Sequence, residues 1–93
     1  MEWYNEVELT EAISKHFNIS HQAASYIYRW YDDNTMFELF DSAEKFLLFV
    51  DIDYRHMLCA MILDKSYSNE VARLLCELFH ISTKDLHLKD DII

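Results

Sequence analysis

Apolar and small residues between Leu9 and Trp30 recur at helical spacing: Ile13 and Phe17 lie one turn apart, and Ala23, Ala24 and Ile27 share a face further on. This spacing predicts a first helix over about Thr10 to Phe17, with Thr10 as its N-cap, and a second over about Ser20 to Asp33, capped by Ser20. Ile19 plugs the turn between them, and Asn18 sits where a left-handed backbone is needed, which Asn tolerates better than most residues other than glycine. The polar run Asp32-Asp33-Asn34 closes the second helix. Asp41-Ser42-Ala43-Glu44 reads as a capping box with Asp41 at the cap, and so opens a third. Its apolar positions run from Phe46 to Val50, falter at Asp51-Ile52-Asp53 and resume from Met57 to Leu63. One long helix or two consecutive ones fit. A strand pair, KFLLFVDID with RHMLCAMILD, is an alternative because VDIDY alternates, although no turn former separates its halves. Ser68 to Phe79 places Val71, Leu74, Leu75, Leu78 and Phe79 on one wide face, a core-facing helix. The closing LHLKDDII reads as a fifth short helix or a frayed tail. The expected fold is therefore a single all-α domain, a bundle of about five short helices over residues 1–93, with no linker or low-complexity tract.

The segment Leu9–Trp30 resembles the helix-turn-helix family of DNA-binding domains, the unit spanning about residues 9–33. That resemblance implies a second helix seated in the major groove. The residues it would turn outward are Ser20, His21, Gln22, Ser25, Tyr26 and Arg29. Gln pairs bidentately with adenine and Arg with guanine, while Ser and Tyr take phosphates. A fainter echo lies downstream. In LLCELFHISTKDL, Leu75, Phe79, Ile81 and Ser82 match Ile13, Phe17, Ile19 and Ser20, the spacing expected of a second such unit or simply of any short helix pair.

Charge opposes the DNA reading. The chain carries 8 Lys+Arg against 17 Asp+Glu, a formal net charge of −9. Residues 1–34, which contain the motif, hold six acids and two bases. Helix-turn-helix proteins hold the duplex largely through cation contacts to phosphate, and an anionic surface is repelled over a Debye length of roughly 8 Å at physiological salt. Only Lys15, Arg29, Lys45 and Arg55 could rescue the cationic case, by clustering beside the second helix.

Gly and Pro are both absent. Primed hairpin turns and glycine C-caps are thereby lost, which favours helix over sheet. Glycine-rich phosphate loops, dinucleotide fingerprints and nucleophile elbows are lost too. With Asp32/Asp33 and Asp51/Asp53 reading as a solvated acidic face, no enzyme activity is expected. Neither is a cofactor. His56-x2-Cys59 and Cys76-x3-His80 offer the donor types of a tetrahedral zinc site, but their order fits no familiar finger and a Cys in an apolar stripe is more often simply buried. No metal and no disulfide are expected. His16 and His87 read as exposed helix residues. Depletion of Gly, Pro, Ala and Arg beside many Ile, Phe, Tyr, Asn and Asp suggests an AT-rich genome. No apolar run reaches the roughly 18 residues of a membrane span, and MEWYNEVE is acidic where a signal peptide is basic, so a cytoplasmic location is expected.

The tail of the second helix, Tyr26, Tyr28, Trp30 and Tyr31, is rich in the residue types that dominate interface hot spots. Two functions follow. In the first, this is a small acidic interaction protein that engages a basic, nucleic-acid-binding protein, its carboxylates standing where phosphates would. Small acidic, glycine-free helical proteins of this sort look like inhibitors or regulators made by phages and mobile elements. The contact residues would be Tyr26, Arg29 and Trp30, within an acidic field of Glu2, Glu6, Asp32, Asp33, Glu38 and Asp41. In the second, it is a transcription regulator reading DNA through Ser20, His21, Gln22, Ser25 and Arg29. The oligomeric state is open, a homodimer included. Charge favours the first.

Overall fold

The computed structural model describes residues 3–64 and 69–82. Among these the chain is helical throughout, with four α-helices: α1 (Glu6–Phe17), α2 (His21–Asp33), α3 (Ala43–Asp64) and α4 (Asn69–Leu78), plus a short 3-10 helix at Met36–Leu39. The fifth helix expected at the C-terminus falls outside the described residues. Contacts group the chain into two compact units, Met1–Ile52 and Asp53–Ile93, and the division falls within α3.

In the first unit, α1 starts four residues earlier than the spacing predicts. Asn5 is the cap, its side-chain oxygen accepting the Glu8 backbone N–H at 2.8 Å. Glu6 and Glu8 then fill the first turn, where carboxylates suit the positive end of the helix dipole. Thr10 is thus an interior residue, not a cap. It is buried, and its hydroxyl has no hydrogen-bond partner among the described residues.

The turn into α2 follows the expected design. Asn18 is left-handed, with φ 55° and ψ 52°. Its N–H donates to the Lys15 carbonyl and the Ile19 N–H to that of Ser14 at 3.0 Å, the paired bonds of a Schellman turn. The buried Ser14 hydroxyl donates to the Ile19 carbonyl at 2.6 Å and ties the same corner from inside. Ser20 caps α2, accepting the Ala23 N–H at 3.1 Å. Ile13, Ala23, Ala24 and Ile27 are fully buried.

α2 ends at Asn34, whose side-chain and backbone N–H groups both donate to the Trp30 carbonyl. Thr35 follows with φ 53°, a left-handed conformation that a β-branched residue adopts only under strain. In a chain without glycine, reversing direction here falls to a residue poorly suited to it. The 3-10 helix then delivers Phe37 into an aromatic cluster: its ring lies 5.0 Å from Tyr28 and 5.1 Å from Phe46, and Phe46 lies 5.2 Å from Tyr31.

α3 corrects two expectations. Its cap is Ser42, not Asp41, because the Ser42 hydroxyl accepts the Lys45 N–H while Asp41 is taken up by the Lys45 ammonium at 3.0 Å. And the segment is one continuous helix, which removes the strand pair. Asp51 and Ile52 do interrupt the apolar run but occupy outward positions, Ile52 being 84% exposed, while Phe46, Val50, Met57, Leu58 and Met61 keep the helical period inside.

In the second unit, α4 buries Ala72, Leu75 and Cys76, and Phe79 meets Tyr54 with ring centroids 5.0 Å apart. Leu74, expected in the core-facing stripe, is exposed instead, because the stripe centres on 72, 75, 76 and 79. α4 ends as α1 does. His80 is left-handed at φ 57°, its N–H donates to Glu77, and the Ile81 N–H donates to Cys76 at 2.9 Å.

Candidate functional site

The outward face of α2 is set by helical period. With Ala23, Ala24, Ile27, Tyr28, Trp30 and Tyr31 buried, His21, Gln22, Arg29, Asp32 and Asp33 are exposed, and Ser25 and Tyr26 are half-buried. One surface therefore carries the residues suited to reading bases together with two of the expected acids. Within it the Gln22 amide donates to the Tyr26 hydroxyl at 3.2 Å, and the Ser25 hydroxyl donates to the Gln22 carbonyl at 2.6 Å. Trp30 does not belong to this surface. It is 7% exposed, edge-on to Tyr31, and its position three residues after Ile27 and seven after Ala23 puts it on the inward face. Packed inside, its side chain leaves the contacts expected of it without a surface to make them.

Charge on this face runs against the helix. Asp32 and Asp33 occupy the last turn of α2, which holds no basic residue, and its first turn holds no acid. Carboxylates at the negative end of the helix dipole destabilise the helix.

The rest of the acidic field is solvent-facing. Residues 3–52 hold nine carboxylates, Glu6, Glu8, Glu11, Asp32, Asp33, Glu38, Asp41, Glu44 and Asp51, all exposed, against three cations. Lys15 is paired with Glu11 at 3.0 Å and Lys45 with Asp41, each one helical turn apart. The Lys15 hydrogen bond, then its charge, holds the Glu11 carboxyl below its usual range, with a smaller contribution from His21. Asp51 accepts from His16 at 2.8 Å. That leaves Arg29 as the exposed cation of residues 3–52 with no ion pair among the described residues. Glu2 lies outside the described residues.

A second feature had no counterpart in the sequence reading. Trp3, Tyr4, Phe37, Glu38 and Phe40 line an open groove of about 340 Å³. The Trp3 indole N–H donates to the Phe37 carbonyl at 3.1 Å, fastening the start of the chain to the 3-10 helix. Trp3 and Phe37 stand at 88° with centroids 6.0 Å apart, and Tyr4 lies 4.5 Å from Phe37. In the sequence its signal is the adjacent aromatic pair Trp3-Tyr4 within an otherwise acidic start.

In the second unit, Cys59 and Cys76 are free thiols, half-buried and buried. Burial pushes the Cys76 thiol up from its ordinary value. His56 and His80 are exposed, and no group of three or more His, Cys, Asp or Glu side chains able to share an ion occurs among the described residues. Nor is any described helix long and apolar enough to cross a membrane. The chain matches no protein-family model and shows no significant similarity to a curated protein or a solved structure.

Proposed function

We propose that this chain is a small, non-enzymatic acidic interaction protein that binds a basic, nucleic-acid-binding protein, presenting carboxylates where that partner normally meets phosphates. In this reading it is an inhibitor or regulator of the kind made by phages and mobile elements. The observation that carries the reading is the exposure of nine carboxylates on residues 3–52 against a single unpaired cation, Arg29. Such a field raises association rates with a cationic surface and suppresses approach to a duplex. Tyr26 and Arg29 supply contacts beside Asp32 and Asp33, with Glu6, Glu38 and Asp41 as the wider field.

The alternative is a DNA-binding regulator of helix-turn-helix type. It is favoured by the three-residue turn at 18–20, with Asn18 left-handed, and by Ser20, His21, Gln22, Ser25 and Arg29 standing outward together. One experiment divides the two. The chain is immobilised and exposed to lysate of its native host with and without nuclease, and purified chain is mixed with genomic fragments at low salt. A basic protein retained after nuclease, and displaced from its own nucleic acid by the chain, supports the interaction protein. Retarded fragments, with all protein capture lost to nuclease, refute it in favour of the regulator.

A further inference from the structure

The aromatic groove of the first unit has the chemistry of an organic-cation site. Four rings, Trp3, Tyr4, Phe37 and Phe40, surround it, and the exposed carboxylate of Glu38 stands at its edge with no ion pair among the described residues. Ring faces carry negative potential and attract cations, most strongly when the cation is easily stripped of water. Trp3, Tyr4 and Phe40 supply the exposed ring surface of the groove's walls, and the indole hydrogen bond to the Phe37 carbonyl holds Trp3 in place. Phe37 is 2% exposed and forms the floor, while Trp3, Tyr4 and Phe40 are half-buried.

From this we infer that the groove receives an arginine side chain of the basic partner, its guanidinium stacked on the rings and hydrogen-bonded to Glu38. This rests on the function proposed above and specifies how that partner is anchored. Arginine fits better than lysine for two reasons. Its planar, weakly hydrated guanidinium stacks on aromatic faces, and its fork of donors matches a carboxylate. A strongly hydrated ammonium does neither as well. The surrounding surplus of carboxylates on the same unit supplies the long-range attraction, and the groove supplies the discrimination.

Small probes test this without the partner. N-acetyl-arginine amide and its uncharged counterpart N-acetyl-citrulline amide are titrated into the ¹⁵N-labelled full chain at constant chloride, following the two indole N–H signals, with Trp3 assigned by Trp3→Phe. The arginine probe should shift the Trp3 signal saturably, leave buried Trp30 in place, and bind about 2- to 30-fold tighter than the citrulline probe. N-acetyl-lysine amide should fall between them. Glu38→Gln, at an exposed position that leaves the rings intact, should weaken the arginine probe several-fold and leave the citrulline probe unchanged. Equal binding of the charged and neutral probes overturns the inference, as does a Trp3 signal unmoved at roughly 50 mM arginine probe, well beyond the millimolar affinity range. The proposed function is judged separately: a basic partner captured after nuclease, with no arginine response, removes the groove and leaves the function, and the reverse result removes the function and leaves the groove.

Discussion

Replacing Asp32 with Asn should move stability and binding in opposite directions. Asp32 is exposed in the last turn of α2, beside the negative end of the helix dipole and in a unit with a surplus of seven negative charges. Neutralising it removes an unfavourable charge–dipole contact of about 0.3–1 kcal/mol at low ionic strength. It also trims the general repulsion. The Asp32 backbone carbonyl, which accepts the Thr35 N–H, is retained by Asn, so the turn that follows is undisturbed. Urea unfolding followed by tryptophan fluorescence places its reporters in this unit, because Trp3 and Trp30 are the only tryptophans and both precede Ile52. With a urea slope of about 1.5 kcal/mol/M, the midpoint should rise by about 0.2–0.7 M. At 1 M NaCl, where the Debye length shrinks to about 3 Å, most of that gain should vanish. Association with the basic partner should meanwhile slow, and its salt dependence should weaken, more so when Asp33→Asn is added. A midpoint that falls, or a gain that survives high salt, refutes the dipole argument; an unchanged on-rate at low salt refutes the steering role.

Backbone strain and burial set the remaining outcomes. Thr35→Gly should stabilise the first unit by about 1 kcal/mol by releasing a β-branched residue from the left-handed region, whereas Asn18→Val should cost about 1–2 kcal/mol, both read by the same urea titration. Thr10→Val replaces an unpaired buried hydroxyl with a methyl of the same shape and should leave stability equal or raise it by up to about 1 kcal/mol; a clear loss would reveal a bond made by that hydroxyl. Burial raises the Cys76 thiol, so the neutral form belongs to the folded state: its contribution is whole below the unfolded value and is lost as pH climbs through the folded one. Iodoacetamide should accordingly modify Cys59 first, and the alkaline loss of helicity seen by circular dichroism should flatten in Cys76→Ala.

The corner between α1 and α2 was legible because every signal for it is local: an Asn free to turn left-handed, a Ser placed to cap, small residues at helical spacing. The repeat of that pattern at Leu75, Phe79 and Ile81 was legible too, and it marks a matching turn, with His80 standing for Asn18 and Cys76 for Ser14. Whether a helix follows Ser82 lies outside the described residues. What the pattern hid was register. Thr10 and Asp41 are both good caps in isolation, yet Asn5 and Ser42 took those places once Leu9 and Phe46 were drawn inside. The interruption at Asp51-Ile52-Asp53 suggested a break, but with neither glycine nor proline present nothing stops a helix there. Trp30 shows the same lesson in reverse: residue type argued for an interface, while its period with Ala23 and Ile27 argued for the core. The groove was least legible, since it joins residues 3–4 to 37–40 through the fold alone.

That junction has a consequence for how the chain could be switched off. The indole of Trp3 is at once a wall of the groove and the clasp that keeps the leading segment against the 3-10 helix. A peptidase trimming the molecule just past this residue would delete both together, abolishing cation capture while leaving the capped helices behind it standing.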